Sequence, residues 1–396
     1  MEGLSELEDK MNSETIKIAK QGDLPLLRQE WTLLASIATT VLFILFGRSW
    51  LADLSNPLWL AFILLWLFIV ILLSAFAIVR HAESLAIILG EPFGTLILTL
   101  AVIGIEVLMI SAVMLTGEGK PAIARDTMFS VVMILLGGMT GVSLLLGGLR
   151  HHEQSYNLQG ANAFLALISP LTVLGLVLPN FTTTTPGPTL SPFQSIFTSV
   201  MSISIYGIFL AVQTNRHRDY FVSPHSAGSE DAKAEDDGHL HSEHEVKSTL
   251  HHALFLTLYI LPLVILAKQL AVPLDYATRA LNAPQVLSGF LVAILILAPE
   301  AISAVRAAIR NQLQRSINIL LGSVLATIGL TIPSVLMIGL FTGKTIYLGL
   351  SPVNTILILL LLVLSTITFT NNRTNVLLGA VHLLLFLAYL MMMFEG

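Results

Sequence analysis

The sequence predicts an all-α, polytopic membrane protein of about eleven transmembrane helices, with one N-terminal helix followed by two inverted five-helix repeats. Three observations carry this reading. Hydrophobic residues make up 55% of the 396 positions and charged residues only 11%, where an ordinary soluble domain carries roughly 25% charged. Apolar runs of about 20 residues, the length that crosses a hydrocarbon core of about 30 Å, recur along nearly the whole chain. None of them shows the period-2 alternation of a barrel strand, so they read as helices, which satisfy their own backbone groups in lipid.

Taken in order, the spans fall near 31–47, 58–79, 94–116, 127–148, 162–179, 194–213, 252–271, 285–308, 316–341, 352–370 and 375–394. Residues 1–30 are polar and of mixed charge and read as a cytoplasmic N-terminal segment. The apolar run after them lacks a small-residue cleavage site, which makes it an uncleaved anchor. Residues 31–57 hold this extra helix and its loop, 58–213 the first repeat and 252–396 the second. Between the repeats, 214–251 is acidic and rich in histidine with almost no aliphatic run, the composition of a disordered linker and a candidate for regulation by pH. With the N-terminus cytoplasmic, fourteen of the twenty Lys and Arg residues lie on the inner side. That bias predicts a C-terminus outside.

Other classes are disfavoured. The absence of cysteine excludes disulfides, thiol catalysis and thiolate metal sites. The net charge of −5 is concentrated in the central loop and argues against a nucleic-acid partner. An intramembrane protease would need paired aspartates, His-Glu-x-x-His or Gly-x-Ser-x-Gly with a histidine; none is present, so no enzyme activity and no cofactor are expected.

The stretch "VIGIEVLMISAVM" places Glu106 alone among thirteen otherwise uncharged, mostly apolar residues. Glu300 in "ILILAPEAISAV" is its counterpart. Aligning the two glutamates brings Ser130 of "FSVVMI" opposite Ser323 of "GSVLAT", 24 and 23 residues beyond their glutamates. An odd number of helices per half makes the second copy enter from the opposite side, the build of many secondary transporters, whose sites lie at mid-depth where the repeats meet. Gly104 and Pro299, beside the glutamates, are the expected helix breaks.

A charged carboxylate at the bilayer centre costs about 2.5 to 3.5 kcal/mol on insertion scales. At about 4 Å and an effective dielectric near 20, two of them repel by about 4 kcal/mol. A proton or a cation relieves both penalties, so the two occupants compete for the same oxygens. Hard oxygen ligands suit Ca²⁺ and Na⁺, and hydroxyls must supplement the carboxylates. Ser130, Ser323 and Thr327 are the candidate hydroxyls beside Glu106 and Glu300. Glu83 and Glu91 lie where the first glutamate helix meets the cytoplasm and are candidates for proton relay or access, against the plainer reading of solvated acids. Asp126, beside Arg125, reads as a helix cap or ion pair, and His382 as a bond between helices.

These motifs resemble the calcium/cation antiporter superfamily, and within it the cation/proton exchanger family, over essentially residues 30–394. Members carry in each half a Gly-Asn-x-x-Glu type motif followed by a Gly-Ser-rich helix. Here the corresponding stretches are "VIGIEV" and "ILAPEA", with Ile103 and Leu297 at the asparagine position. The resemblance implies exchange of Ca²⁺ and Na⁺, with K⁺ as a further candidate, for protons, with Glu106 and Glu300 binding the transported ion. A monovalent-selective Na⁺(K⁺)/H⁺ exchanger is the alternative, because the amide ligands are missing. A passive cation channel is the rival outside the carriers.

Overall fold

The computed structural model describes residues 30–90, 93–116, 121–223 and 248–395. Eleven helical rods run through them: α1 Trp31–Trp50, α2 Pro57–Leu89, α3 Phe93–Thr116, α4 Ile123–His151, α5 Leu158–Asn180, α6 Pro192–Thr214, α7 Thr249–Ala280, α8 Val286–Ile309, α9 Leu313–Thr342, α10 Pro352–Thr368 and α11 Val376–Glu395. Ten are long and apolar enough to cross a bilayer, and α10 is a shorter apolar helix. The chain is an all-α, polytopic integral membrane protein.

Contacts between the turns place the helix ends alternately at two faces. On the face nearest Glu30, two-residue strands β1, Gln154–Ser155, and β2, Arg373–Thr374, pair antiparallel. There, too, Gln154 Nε2 donates to the Ala308 carbonyl (2.8 Å), and the Tyr156 hydroxyl donates to the Asn371 carbonyl. Burial pushes the Tyr156 phenol up from its ordinary value, so it stays a donor. On the opposite face Tyr347 N donates to the Pro121 carbonyl (2.9 Å), and Arg125 Nη1 to that of Gly349 (3.0 Å).

Several helices start where the chemistry dictates. Asn56, Asn157, Ser191 and Ser351 cap the first turns of α2, α5, α6 and α10 with side-chain oxygens, and a proline follows at the first turn in α2, α6 and α10. Two helices overrun the expected spans: α2 continues to Leu89 and α7 to Ala280. Their extra turns carry charge on one side only, while Ile78, Ala82 and Leu85, or Leu274 and Ala277, stay buried. An apolar window ends at the first charge; an amphipathic helix does not.

The expected breaks at Gly104 and Pro299 do not occur. Helix α3 runs unbroken through Gly104, and α8 runs through Pro299. Proline removes one backbone donor, and the packed neighbours of α8 hold the rod together around that loss. Irregularity falls instead on the helices that follow. Wide π-helical turns occupy Met133–Met139 of α4 and Thr327–Thr331 of α9, a feature that often marks functional sites. In α4 the wide turn is held by side chains. His382 Nδ1 donates to the Leu136 carbonyl (2.7 Å), and Thr140 donates to that of Leu135 (2.8 Å). The Leu136 carbonyl can only accept, which fixes a proton on Nδ1, and Thr368 bonds Nε2 (2.9 Å), so His382 is the helix-to-helix bond expected of it.

The two halves interlock. Helix α2 packs along α7, α4 against α8 and α11, and α9 against α5 and α6, while α1 lies on α2 and α7. Close approach is made possible by glycine at Gly379, where an added Cβ would meet the Leu145 backbone nitrogen of α4 at 2.6 Å. Small residues serve this purpose in lipid, where tight packing substitutes for the hydrophobic drive.

Candidate functional site

Helices α3 and α8 cross in the interior, and each carries one glutamate to the crossing. Glu106 is 2% exposed. Glu300, from the other half, is partly buried and lies within Coulombic reach of it. The hydroxyls come from one helix. Thr327 Oγ1, at the start of the wide turn in α9, donates to Glu106 Oε2 at 2.8 Å. Ser323 Oγ, one turn earlier on the same helix, donates to Glu300 Oε2. Helix α9 thus serves both acids, one from each half.

One oxygen of the pair is not satisfied. Glu106 Oε1 is buried and accepts no hydrogen bond among the described residues. The Thr331 hydroxyl, one turn beyond Thr327, is also buried and lies beside the same carboxylate, too loosely placed to complete a hydrogen bond. A buried polar atom left unpaired costs about 1 to 3 kcal/mol, more if it is charged. Two such oxygens side by side could hold a small cation or a proton. Thr331 escaped the sequence reading, although its spacing of four from Thr327 puts both on one helical face.

Ser130 occupies a different place from Ser323. Its hydroxyl donates to the Asp126 carbonyl (2.7 Å) and pairs with the Tyr389 hydroxyl (2.8 Å), and it bonds neither glutamate. The residue aligned with Thr327 in the first half is Ile134, so the hydroxyl contribution is one-sided.

A family model described as sodium/calcium exchanger protein matches residues 59–215 and 251–395. The chain belongs to the sodium/calcium exchanger protein family. Its relatives include the sodium-potassium/proton antiporter ChaA of Escherichia coli (strain K12), 41% identical over 366 residues, which cover 92% of this chain and 96% of that protein. The putative ionic transporter y4hA of Sinorhizobium fredii (strain NBRC 101917 / NGR234) is 44% identical over 81% of this chain and 85% of its own length. A Ca²⁺/H⁺ antiporter of Aphanothece halophytica is 23% identical over 76% of this chain and 81% of that protein. The same fold is seen in native YfkE, with a TM-score of 0.69 at 19% identity over 92% of this chain and 100% of that one. It recurs in the H⁺/Ca²⁺ exchanger CAX, with a TM-score of 0.61 at 15% identity over 92% and 88%. These named relatives are transporters.

Among the described residues, the remaining acids of this exchanger-family chain lie away from the crossing. Glu83 sits near the end of α2, partly buried and within Coulombic reach of Arg315. Glu91 lies outside the described residues, as do residues 1–29 and most of the central loop, 224–247. Asp126 accepts from Arg125 Nε at 2.8 Å, the ion pair expected of it.

Proposed function

We propose that this chain is a secondary active antiporter exchanging Ca²⁺ and Na⁺, with K⁺ as a further cargo, for protons by alternating access. One observation carries the reading: two carboxylates from opposite halves converge in the interior with no basic residue bonded to either among the described residues. Their charge needs an occupant, and a proton or a cation fills the same oxygens. Ser323, Thr327 and Thr331 supply neutral oxygens beside them. The two halves, 58–213 and 252–396, are read as inverted repeats that rock about this point; the wide turns at corresponding places in α4 and α9 support that reading. The N-terminal face is assigned to the cytoplasm and the membrane to the bacterial inner membrane.

The monovalent-selective reading also has specific support. Ca²⁺ takes six to eight oxygens, and Ile103 and Leu297 place hydrocarbon where an amide would add one. The 41% identical relative is named for sodium and potassium.

Everted vesicles energised with a proton gradient and loaded with a pH dye test both readings. Addition of Na⁺ or Ca²⁺ dissipates the gradient saturably, and Glu106→Gln or Glu300→Gln abolishes the response while the protein still inserts and purifies. Normal exchange in both variants removes the assignment. A response to Na⁺ and K⁺ with none to Ca²⁺ selects the monovalent form.

A further inference from the structure

A second group of titratable side chains lies far from the glutamates, at the N-terminal face, where α1, α2 and α7 meet. Glu30, just before α1, accepts from Arg80 Nη2 of α2 at 2.7 Å and from the Tyr259 hydroxyl of α7 at 2.9 Å. His81 turns one ring nitrogen, Nε2, toward the same carboxylate oxygen at 3.5 Å. Its other, Nδ1, meets Nδ1 of His252 on α7 at 2.9 Å. Glu30, His81 and His252 are all buried. From α7, His251 and the ring of Phe255 also face His81. Glu83, two residues on and so on the far side of α2, faces Arg315 instead. The adjoining end of α3, 93–100, brings no charged side chain.

We infer that the His81–His252 pair is a second proton-binding site, which reads the pH at this face and sets the contact between α2 and α7. A hydrogen bond between two ring nitrogens needs one N–H and one bare nitrogen. The pair therefore holds when neutral or when it carries a single positive charge. A second proton sets N–H against N–H at 2.9 Å and adds charge beside Arg80. The single charge of Glu30 is already shared among Arg80, Tyr259 and His81. The contact parts, and α2 loses its polar tie to α7. Imidazole is the side chain whose ordinary range for this change spans pH 5 to 8. The consequence reaches the transport site because α3, which carries Glu106, packs against both α2 and α7. Regulation of exchange rests on the proposed antiport; the proton-dependent separation does not.

The absence of native cysteine allows spin labels at Leu89→Cys and Leu250→Cys, both at exposed positions at the ends of α2 and α7. In reconstituted full-length protein the label distance is measured at about pH 8 and about pH 5.5, either side of the imidazole range. The native cluster gives a broader, longer distribution at the lower pH. His81→Asn and His252→Asn, which keep an amide near Nδ1 but do not titrate, give distributions that pH leaves unchanged. In vesicles the same variants lose the pH step in exchange rate across this range while the half-saturating cation concentration stays as in the native chain. A native distance that does not respond to pH overturns the proposal, as do variants that respond like the native chain. A distance response present in the native chain and lost in the histidine variants, together with absent exchange in every form, would count against antiport and leave the proton site standing.

Discussion

Glu106 is held from one side only, and this shapes what substitutions around it should do. Thr327→Val removes the hydroxyl that donates to Glu106 Oε2 with little change of volume. A hydrogen bond to a charged group is worth about 1.5 to 3 kcal/mol, so the half-saturating cation concentration should rise about tenfold or more in vesicle titrations. Thr331→Val breaks no hydrogen bond of the described structure, yet it replaces the oxygen beside the unpaired Oε1 with a methyl group. Weaker cation binding is expected there as well; saturation curves superimposable on the native ones for every ion would remove Thr331 from the site. Glu30 gives a prediction about stability. Burial pushes its carboxyl up, but His81, Arg80 and Tyr259 together outweigh that and hold it down to about 2, from 4.5. A depressed carboxyl stabilises the fold fully above its unfolded value and loses that contribution as pH falls through the folded one. Glu30→Gln should therefore lower thermal stability in detergent at neutral pH, by on the order of 3 kcal/mol at most. The difference from native protein should shrink as pH falls from about 4.5 toward 2.

At the level of the helix, the apolar runs located the spans because lipid rewards an uninterrupted hydrocarbon surface, and α3 and α8 begin and end within a residue of the expected positions. The face each helix turns inward was less legible. A Leu-rich helix has a weak polar stripe, so Ser130 and Ser323, aligned in sequence, point to different partners in space. The wide turns were not legible either, since they depend on distant groups such as His382 reaching the Leu136 carbonyl. Glu30 read as part of a polar leader because its partners are fifty and more residues away. Close packing at Gly379 yields a prediction at this scale. Gly379→Ala sets a methyl group against the backbone of α4, which cannot yield as a side chain can. Overpacking of this kind costs about 1 to 3 kcal/mol, and a lower melting temperature with exchange retained below it is the expected result.

For the whole molecule, the interlocking of the halves matters more than their separation in sequence. Helices α4 and α5 of the first half find much of their packing on α8, α9 and α11 of the second. Neither half should be stable alone. Expressed separately as 1–223 and 248–396, each should be degraded or remain sensitive to protease. Expressed together, they should assemble into a complex that exchanges ions, since the cut falls within the central loop. Stable, protease-resistant accumulation of the first half alone would contradict the packing seen here.

The short ladder of β1 and β2 has a consequence for biogenesis. Gln154 and Ser155 emerge from the ribosome more than two hundred residues before their partners Thr374 and Arg373. Until the last hairpin is synthesised, that turn has no mate, and the groups it later covers stay open to water and to quality-control machinery. Closure of this small clasp is thus a late assembly event, so a nascent chain stalled before residue 373 should be recognised as unfinished.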